Sequence, residues 1–277
     1  MPVVTPTLAL IIFAAGAAAG SLGALLGLGG GIFLVPLLNL GLGFPISVAA
    51  AISLATVIAT SSTVTAGKAG QHLINFRFGM LLEVVTAAGS VLGGITAQFV
   101  SQAALQRLFA AVTAVIALIT VARSNRRNVI ADTAVAPGVL GGRFFDHESG
   151  RPIVYRIKRL PLAIVVSFIA GNVSSLLGIG GGVVKVPVLN AGCGMPLRAA
   201  AATSAFMIGV TATGGAVIYY GTGQLLPVPA AAAILGVQVG SWGGLRVSPN
   251  LPVRALKLLM ALVLGVVSTL MLVKGMR

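Results

Sequence analysis

The sequence predicts an all-α polytopic membrane protein, and three observations carry that prediction: its apolarity, the placement of its few charges, and an internal repeat. Of 277 residues, 57% are hydrophobic and 8% are charged, and the mean hydropathy is +1.06. A soluble domain carries roughly a quarter of its residues as Asp, Glu, Lys or Arg, so this chain cannot cover a solvated surface. The formal charge of +14 comes from 18 Lys and Arg against 4 Asp and Glu. Eight of the basic residues fall in one segment: Arg123, Arg126, Arg127, Arg143, Arg151, Arg156, Lys158 and Arg159. Basic residues gathered between apolar runs follow the positive-inside pattern of a membrane protein. They do not form the basic face of a nucleic-acid binder.

A bilayer core takes about 20 apolar residues per helix. Apolar runs of that order occupy residues 7–28, 46–66, 79–100 and 105–122, then 160–177, 197–220, 226–245 and 253–273. Two shorter runs, 32–42 and 183–192, follow the first long run of each set. No Lys or Arg precedes the first run, so it lacks the charged start of a cleavable signal peptide and is expected to stay as a membrane segment. Between the sets lies the one long polar stretch, 123–159, with Asp132, Asp146 and Glu148 and with Gly and Pro breaks. The expected organisation is therefore an N-terminal membrane repeat at 1–122, a basic cytoplasmic linker at 123–159, partly mobile, and a C-terminal membrane repeat at 160–277. The single cysteine, Cys193, excludes an internal disulfide and a multi-thiolate metal site. No cofactor and no metal are expected.

The repeat is visible residue by residue. Sliding the chain by 151 positions lays residues 19–45 over 170–196 with 15 of 27 identical. The shared skeleton is Leu-Leu-Gly-x-Gly-Gly-Gly-x-x-x-Val-Pro-x-Leu-Asn-x-Gly-x-Gly-x-Pro. Ser53 then lies over Ser204, and after a four-residue deletion Gly89 and Gly93 lie over Gly236 and Gly240. Gly29, Gly30 and Gly31, and likewise Gly180, Gly181 and Gly182, free the backbone just after a spanning run. Unwound backbone at membrane depth survives only when packed in protein or lining a wet cavity. Two such breaks at corresponding places of two repeats point to a transporter's substrate site.

Each break opens a short helix of about ten residues, which rises about 15 Å, half of the bilayer core. Its N-terminus would present free N–H groups and partial positive charge at mid-membrane, a seat for an anion. The second copy adds Lys185 where the first has Leu34. Lysine in an apolar run either meets an anion or snorkels to the interface.

Two arrangements of segments follow. If the short helices re-enter, each repeat has four spanning helices plus one short broken helix, and both termini share the linker's side. Twelve basic residues then lie on that side and five on the other. If the short segments cross, the repeats are inverted, five plus five, and the tally is fourteen against three. Segment length favours the first and charge the second. The length criterion is taken as the expectation.

The doubled Leu-Gly-x-Gly-Gly-Gly-x-x-x-Val-Pro motif, the two similar halves and the basic central loop resemble the sulfite exporter TauE/SafE family of bacterial inner-membrane proteins. The likeness covers nearly the whole chain apart from the linker. It implies a multi-pass protein of the inner (cytoplasmic) membrane that exports small sulfur-containing anions, such as sulfite or an organosulfonate like sulfoacetate.

Other polar residues are candidates of lower rank. Asn39 and Asn190 occupy equivalent positions and would cap the short helices or offer an amide to the substrate. Ser53 and Ser204 are the hydroxyls fixed by the repeat. Glu83 is the one acid near a spanning run and the one visible coupling carboxylate. Counted from residue 79, it would sit near headgroup level and pair with Arg77 or Lys68. His72, beside Gln71 at a helix end, is either interfacial or a proton relay.

No phosphate loop, dinucleotide fingerprint or HExxH motif is present. A membrane-embedded enzyme would need a nucleophile–His pair or two acids in the bundle. Both histidines, His72 and His147, fall in loops. The expectation is a gradient-coupled secondary transporter and not an enzyme. Its partners are a small anion, the lipid bilayer and a coupling proton or sodium ion, with a homodimer left open. A passive anion channel is the alternative.

Overall fold

A computed structural model of the chain describes residues 5–26, 29–68, 70, 72–122, 138–146, 151–247 and 253–276. The linker positions 123–137 and 147–150, with Arg123, Arg126, Arg127, Asp132, His147 and Glu148, lie outside the described residues, as do Gln71 and Arg277.

The first half contains α1 (Pro6–Leu26), α2 (Gly31–Pro36), α3 (Ile46–Lys68), α4 (Phe76–Phe99) and α5 (Gln102–Ala122). The second contains α6 (Leu160–Leu177), α7 (Gly182–Ala191), α8 (Leu197–Gly221), α9 (Pro227–Val247) and α10 (Val253–Met276). Among the described residues, seven helices are long and apolar enough to cross a membrane: α1, α3, α4, α5, α6, α8 and α9. The chain is an all-α polytopic membrane protein. α10 has 24 residues, of which Ala261–Met276 counts as a shorter apolar helix. α2 continues through Pro36 into a π-helical turn, Leu37–Gly41. Proline withholds one backbone donor, and the wider turn follows directly after it. Neither this segment nor the ten-residue α7 is long enough to span.

Part of the linker is ordered. Within the linker lies an antiparallel hairpin, β1 (Gly142–Asp146) with β2 (Arg151–Tyr155), in which Phe144 faces Ile153. Gly142 permits it: a Cβ there would stand 2.6 Å from the Tyr155 hydroxyl oxygen.

The two halves interlock. α1 packs mainly on α9 and α6 mainly on α4, while α3 packs on α8 and α5 on α10. Without a hydrophobic drive between helices in lipid, small residues that let backbones approach supply the contact. A Cβ on Gly240 would lie 1.9 Å from Ala17 O, and one on Gly93 would lie 2.2 Å from Asn172 O. Both contacts are between parallel helices.

The helix senses correct the expected sidedness. The hairpin leads directly into α6, and Lys158 N donates to Cys193 O at 2.9 Å, so α7 returns to the face that α6 left. α8 starts on the hairpin face and α9 on the opposite one. α1 runs parallel to α9 and therefore starts opposite the hairpin as well. α10 runs antiparallel to α5, with Gly275 beside Ala103 and Ser268 donating to Ala110 O at 2.8 Å, so Met276 ends on that same opposite face. Termini sharing the linker's side are thus not observed. The reason is that each long first helix and its short successor form an in-and-out pair with no net crossing. Corresponding helices of the halves run in opposite senses.

Candidate functional site

Both glycine breaks adopt left-handed backbone: φ is 77° at Gly29 and 43° at Gly30, and 81° at Gly180 and 63° at Gly181. Gly30 and Gly181 are the N-caps of α2 and α7. A left-handed conformation costs an L-residue roughly 1–2 kcal/mol, so two consecutive such positions select glycine. The breaks meet at the centre. Cβ atoms on Gly29 or Gly180 would each contact Val57 and Ile208 at 3.1–3.5 Å, and those two side chains are fully buried. A Cβ on Gly31 would stand 2.5 Å from Gly178 O and 2.6 Å from Ser53 Oγ. Ser53 itself donates to Gly178 O at 2.6 Å, so a hydroxyl of the first half fastens the break of the second.

The second break carries the charged side chains. Lys185, in the first turn of α7, is 1% exposed. Its Nζ donates to Thr211 Oγ1 at 3.1 Å, and that hydroxyl donates to Glu83 Oε1 at 2.7 Å. Lys185 Nζ also lies 3.8 Å from Glu83 Oε2. Glu83 is not at headgroup level and does not pair with Arg77. α4 begins at Phe76 and not at 79, which sinks the carboxylate two turns, about 10 Å, into the helix. Ser204 and Ser174 complete the neighbourhood. Both are fully buried, and neither Oγ has a hydrogen-bond partner among the described residues. They flank the N-terminus of α7: Cβ positions on Gly182 and Gly181 would lie 3.3 Å and 3.4 Å from the Ser204 and Ser174 oxygens, respectively.

Other expected residues lie elsewhere. Asn39 Nδ2 donates to Phe44 O at 2.7 Å and Asn190 Nδ2 to Met195 O at 2.8 Å. Each closes the turn after its short helix, at opposite faces and away from the breaks. Each amide thus spends a donor on backbone, as a cap does. His72 stands in the α3–α4 loop with φ 51°. It lines a cavity of about 860 Å³ with Arg77, Arg143 and Tyr155, which Glu83 does not line. Among the described residues no three His, Cys, Asp or Glu cluster as a metal site would require.

The hairpin covers this site from its own face. Phe144 and Tyr155 share a buried cluster with Phe78, Leu82, Leu189 and Met207, of which Leu82, Leu189 and Met207 lie one to four residues from Glu83, Lys185 and Thr211. Asn75 pins the hairpin: its Nδ2 donates to Leu140 O at 2.8 Å while its Oδ1 caps α4 at Phe78 N. Burial raises the pKa of the Tyr155 hydroxyl above its ordinary range, against a lowering hydrogen bond from Asn75, so this buried hydroxyl stays neutral.

The profile of the sulfite exporter TauE/SafE family matches residues 12–271. The chain belongs to the TauE/SafE family. A probable membrane transporter, YunE of Bacillus subtilis, is 25% identical over 272 residues, covering 96% of this chain and 97% of that one. A second, MJ0441 of Methanocaldococcus jannaschii, is 26% identical over 271 residues and 91% of each chain. No solved structure matches. This TauE/SafE protein is accordingly a multi-pass membrane transporter, and placement in a cytoplasmic membrane agrees with these relatives.

Two of the residues around Lys185 escaped the sequence reading. Thr211 carries no mark in the sequence, since a hydroxyl on an apolar helix ordinarily bonds back to its own helix, and it does reach Met207 O at 3.0 Å. Ser174 was not singled out. A usable signal existed: the repeat register sets Ser174 and Ser175 over Gly23 and Ala24, a polar pair in one copy only.

Proposed function

We propose that this chain is a secondary transporter that exports small sulfur-containing anions, sulfite and organosulfonates such as sulfoacetate. The observation that carries this reading is Lys185, a cation buried at the start of a mid-membrane helix. Buried charge in a spanning bundle is costly and marks a functional site. A sulfonate brings oxygens and no donors. The α7 N-terminus, the Lys185 ammonium and the unpartnered Ser174 and Ser204 hydroxyls offer donors and positive charge, which is the complementary set. Transport and not catalysis agrees with a described interior whose one acid is bonded to a lysine and a threonine, with no histidine beside it. Closure of the centre by Val57 and Ile208 between the two breaks supports a carrier with an occluded middle over an open channel. The hairpin face, with most of the basic residues, is assigned to the cytoplasm by the positive-inside rule.

The test is thermal unfolding of the detergent-purified protein with sulfite, thiosulfate, sulfoacetate, taurine and carboxylate controls. A ligand at 100 times its Kd raises stability by about 2.7 kcal/mol. Sulfur oxyanions are expected to shift the wild type and to leave Lys185→Ala unshifted. Equal shifts in both proteins would remove Lys185 from the seat.

A further inference from the structure

We infer that Lys185 is the counter-ion of either Glu83 or the cargo but never of both, so that each anion enters its seat together with one proton. The inference rests on the reading of Lys185 as the anion seat. Its basis is the closed set of charges at that point. Lys185 on α7, Thr211 on α8 and Glu83 on α4 form one chain of contacts, Nζ to Oγ1 at 3.1 Å and Oγ1 to Oε1 at 2.7 Å. Lys185–Glu83 is the one ion pair among the described residues.

Among the described residues no other charge is placed to replace either member. α4 packs on α6 and α8, and α7 on the same two helices. On α4 the other ionisable group is Arg77, six residues before Glu83 and lining the hairpin cavity. α6 has none, and α7 has only Lys185. α8 carries Arg198 thirteen residues before Thr211, and Tyr219 and Tyr220 more than two turns after it. Tyr155 of the hairpin contacts Asn75. Among the described residues Glu83 therefore has no second cation to turn to.

As a pair, the two groups are neutral. A cargo anion that takes the ammonium would leave the Glu83 carboxylate as an extra negative charge in the same low-dielectric space. Breaking a buried pair on one side only is strongly unfavourable, and a buried carboxylate without a partner takes up a proton instead. The charge balance then closes. One proton from water adds to the carboxylate at Oε2, the oxygen without a hydrogen-bond partner. The cargo neutralises Lys185, and the proton leaves when the pair re-forms. Thr211 can serve both states, because a hydroxyl both donates and accepts.

The test is calorimetric titration of sulfoacetate into the detergent-purified full chain, in two buffers of different ionisation enthalpy at one pH. The difference between them counts protons exchanged. Wild type is expected to take up one proton per anion bound. Its affinity should fall about tenfold per pH unit where Glu83 is ionised. Glu83→Gln, which keeps the shape and removes the titration, is expected to bind sulfoacetate with no proton uptake and a flat pH profile. Wild-type binding without proton uptake, with Lys185→Ala unable to bind, would overturn the exchange and leave the seat standing. Undiminished binding by Lys185→Ala would overturn the seat itself. Absence of binding by sulfoacetate, thiosulfate and sulfite alike would overturn both. The wild-type measurement decides the question even if a variant fails to fold.

Discussion

The two glycine breaks have nearly the same backbone and opposite chemistry. Both turn through left-handed glycines into a short helix with an internal proline and end on an Asn that closes the following turn. At α2 the fourth helical residue is Leu34, fully buried in the apolar core, and at α7 it is Lys185. Thr60, the counterpart of Thr211, bonds back to Thr56 O at 2.9 Å, whereas Thr211 bridges the ion pair. The register that lays Gly89 over Gly236 sets Glu83 over Ala230. Both copies keep the shape that a break in lipid requires, and one alone carries the charges. Most shared positions build the scaffold, and the charged members of the proposed seat fall where the copies disagree in polarity, Leu34 against Lys185 and Ala230 against Glu83.

That division can be broken by experiment. The largest effect is expected at the pair. Lys185→Leu, which copies the first break into the second, should destabilise the protein by about 3–5 kcal/mol because Glu83 is left without a partner. Adding Glu83→Gln should restore most of that stability without restoring flux in proteoliposomes. Recovery of flux in the double variant would show that the charges are structural. Next come Gly30→Ala and Gly181→Ala. Each should cost a similar amount, about 1–2 kcal/mol for forcing an L-residue into the left-handed region, read from thermal unfolding. A large inequality would mean that the two backbones are not equivalent scaffolds. Smaller and deliberately unequal effects are expected of the serines. Ser53→Ala removes a donor from a buried carbonyl and should cost about 1–3 kcal/mol. Ser204→Ala removes a hydroxyl with no protein partner, so stability should stay within about 0.5 kcal/mol while sulfoacetate affinity falls. The smallest effect is expected at His72. Its alanine variant should leave flux unchanged, and a loss would draw the α3–α4 loop into transport.

Most of the architecture was legible in the sequence because lipid leaves few alternatives. Residues 46–66 and 197–220 could only be spanning helices, and α3 and α8 occupy them with small changes of boundary. What escaped was three-dimensional pairing. Three residues of error at the start of α4 moved Glu83 from the interface into the core, and no local pattern announced its partner 102 positions later. The sidedness of the termini failed for a related reason. Length excluded a crossing by α7, but length cannot say that α6 and α7 form a hairpin with no net crossing. The basic-residue tally held that information, since summed charge reads sidedness without reference to segment length. The linker hairpin was hidden because Phe144 and Tyr155 are ordinary strand residues whose burial depends on a distant surface.

The pairing of α1 with α9 also sets the timing of biogenesis. Gly16 leaves the ribosome long before Ala233, whose backbone it will touch. At about 5–20 residues per second the wait is roughly 10–40 s. Throughout that time α1 stands in the bilayer with its close-packing face turned to lipid. α6 has no such delay, because α4 precedes it. The second half therefore docks onto a finished partner, while the first half is completed only when the chain nears its end.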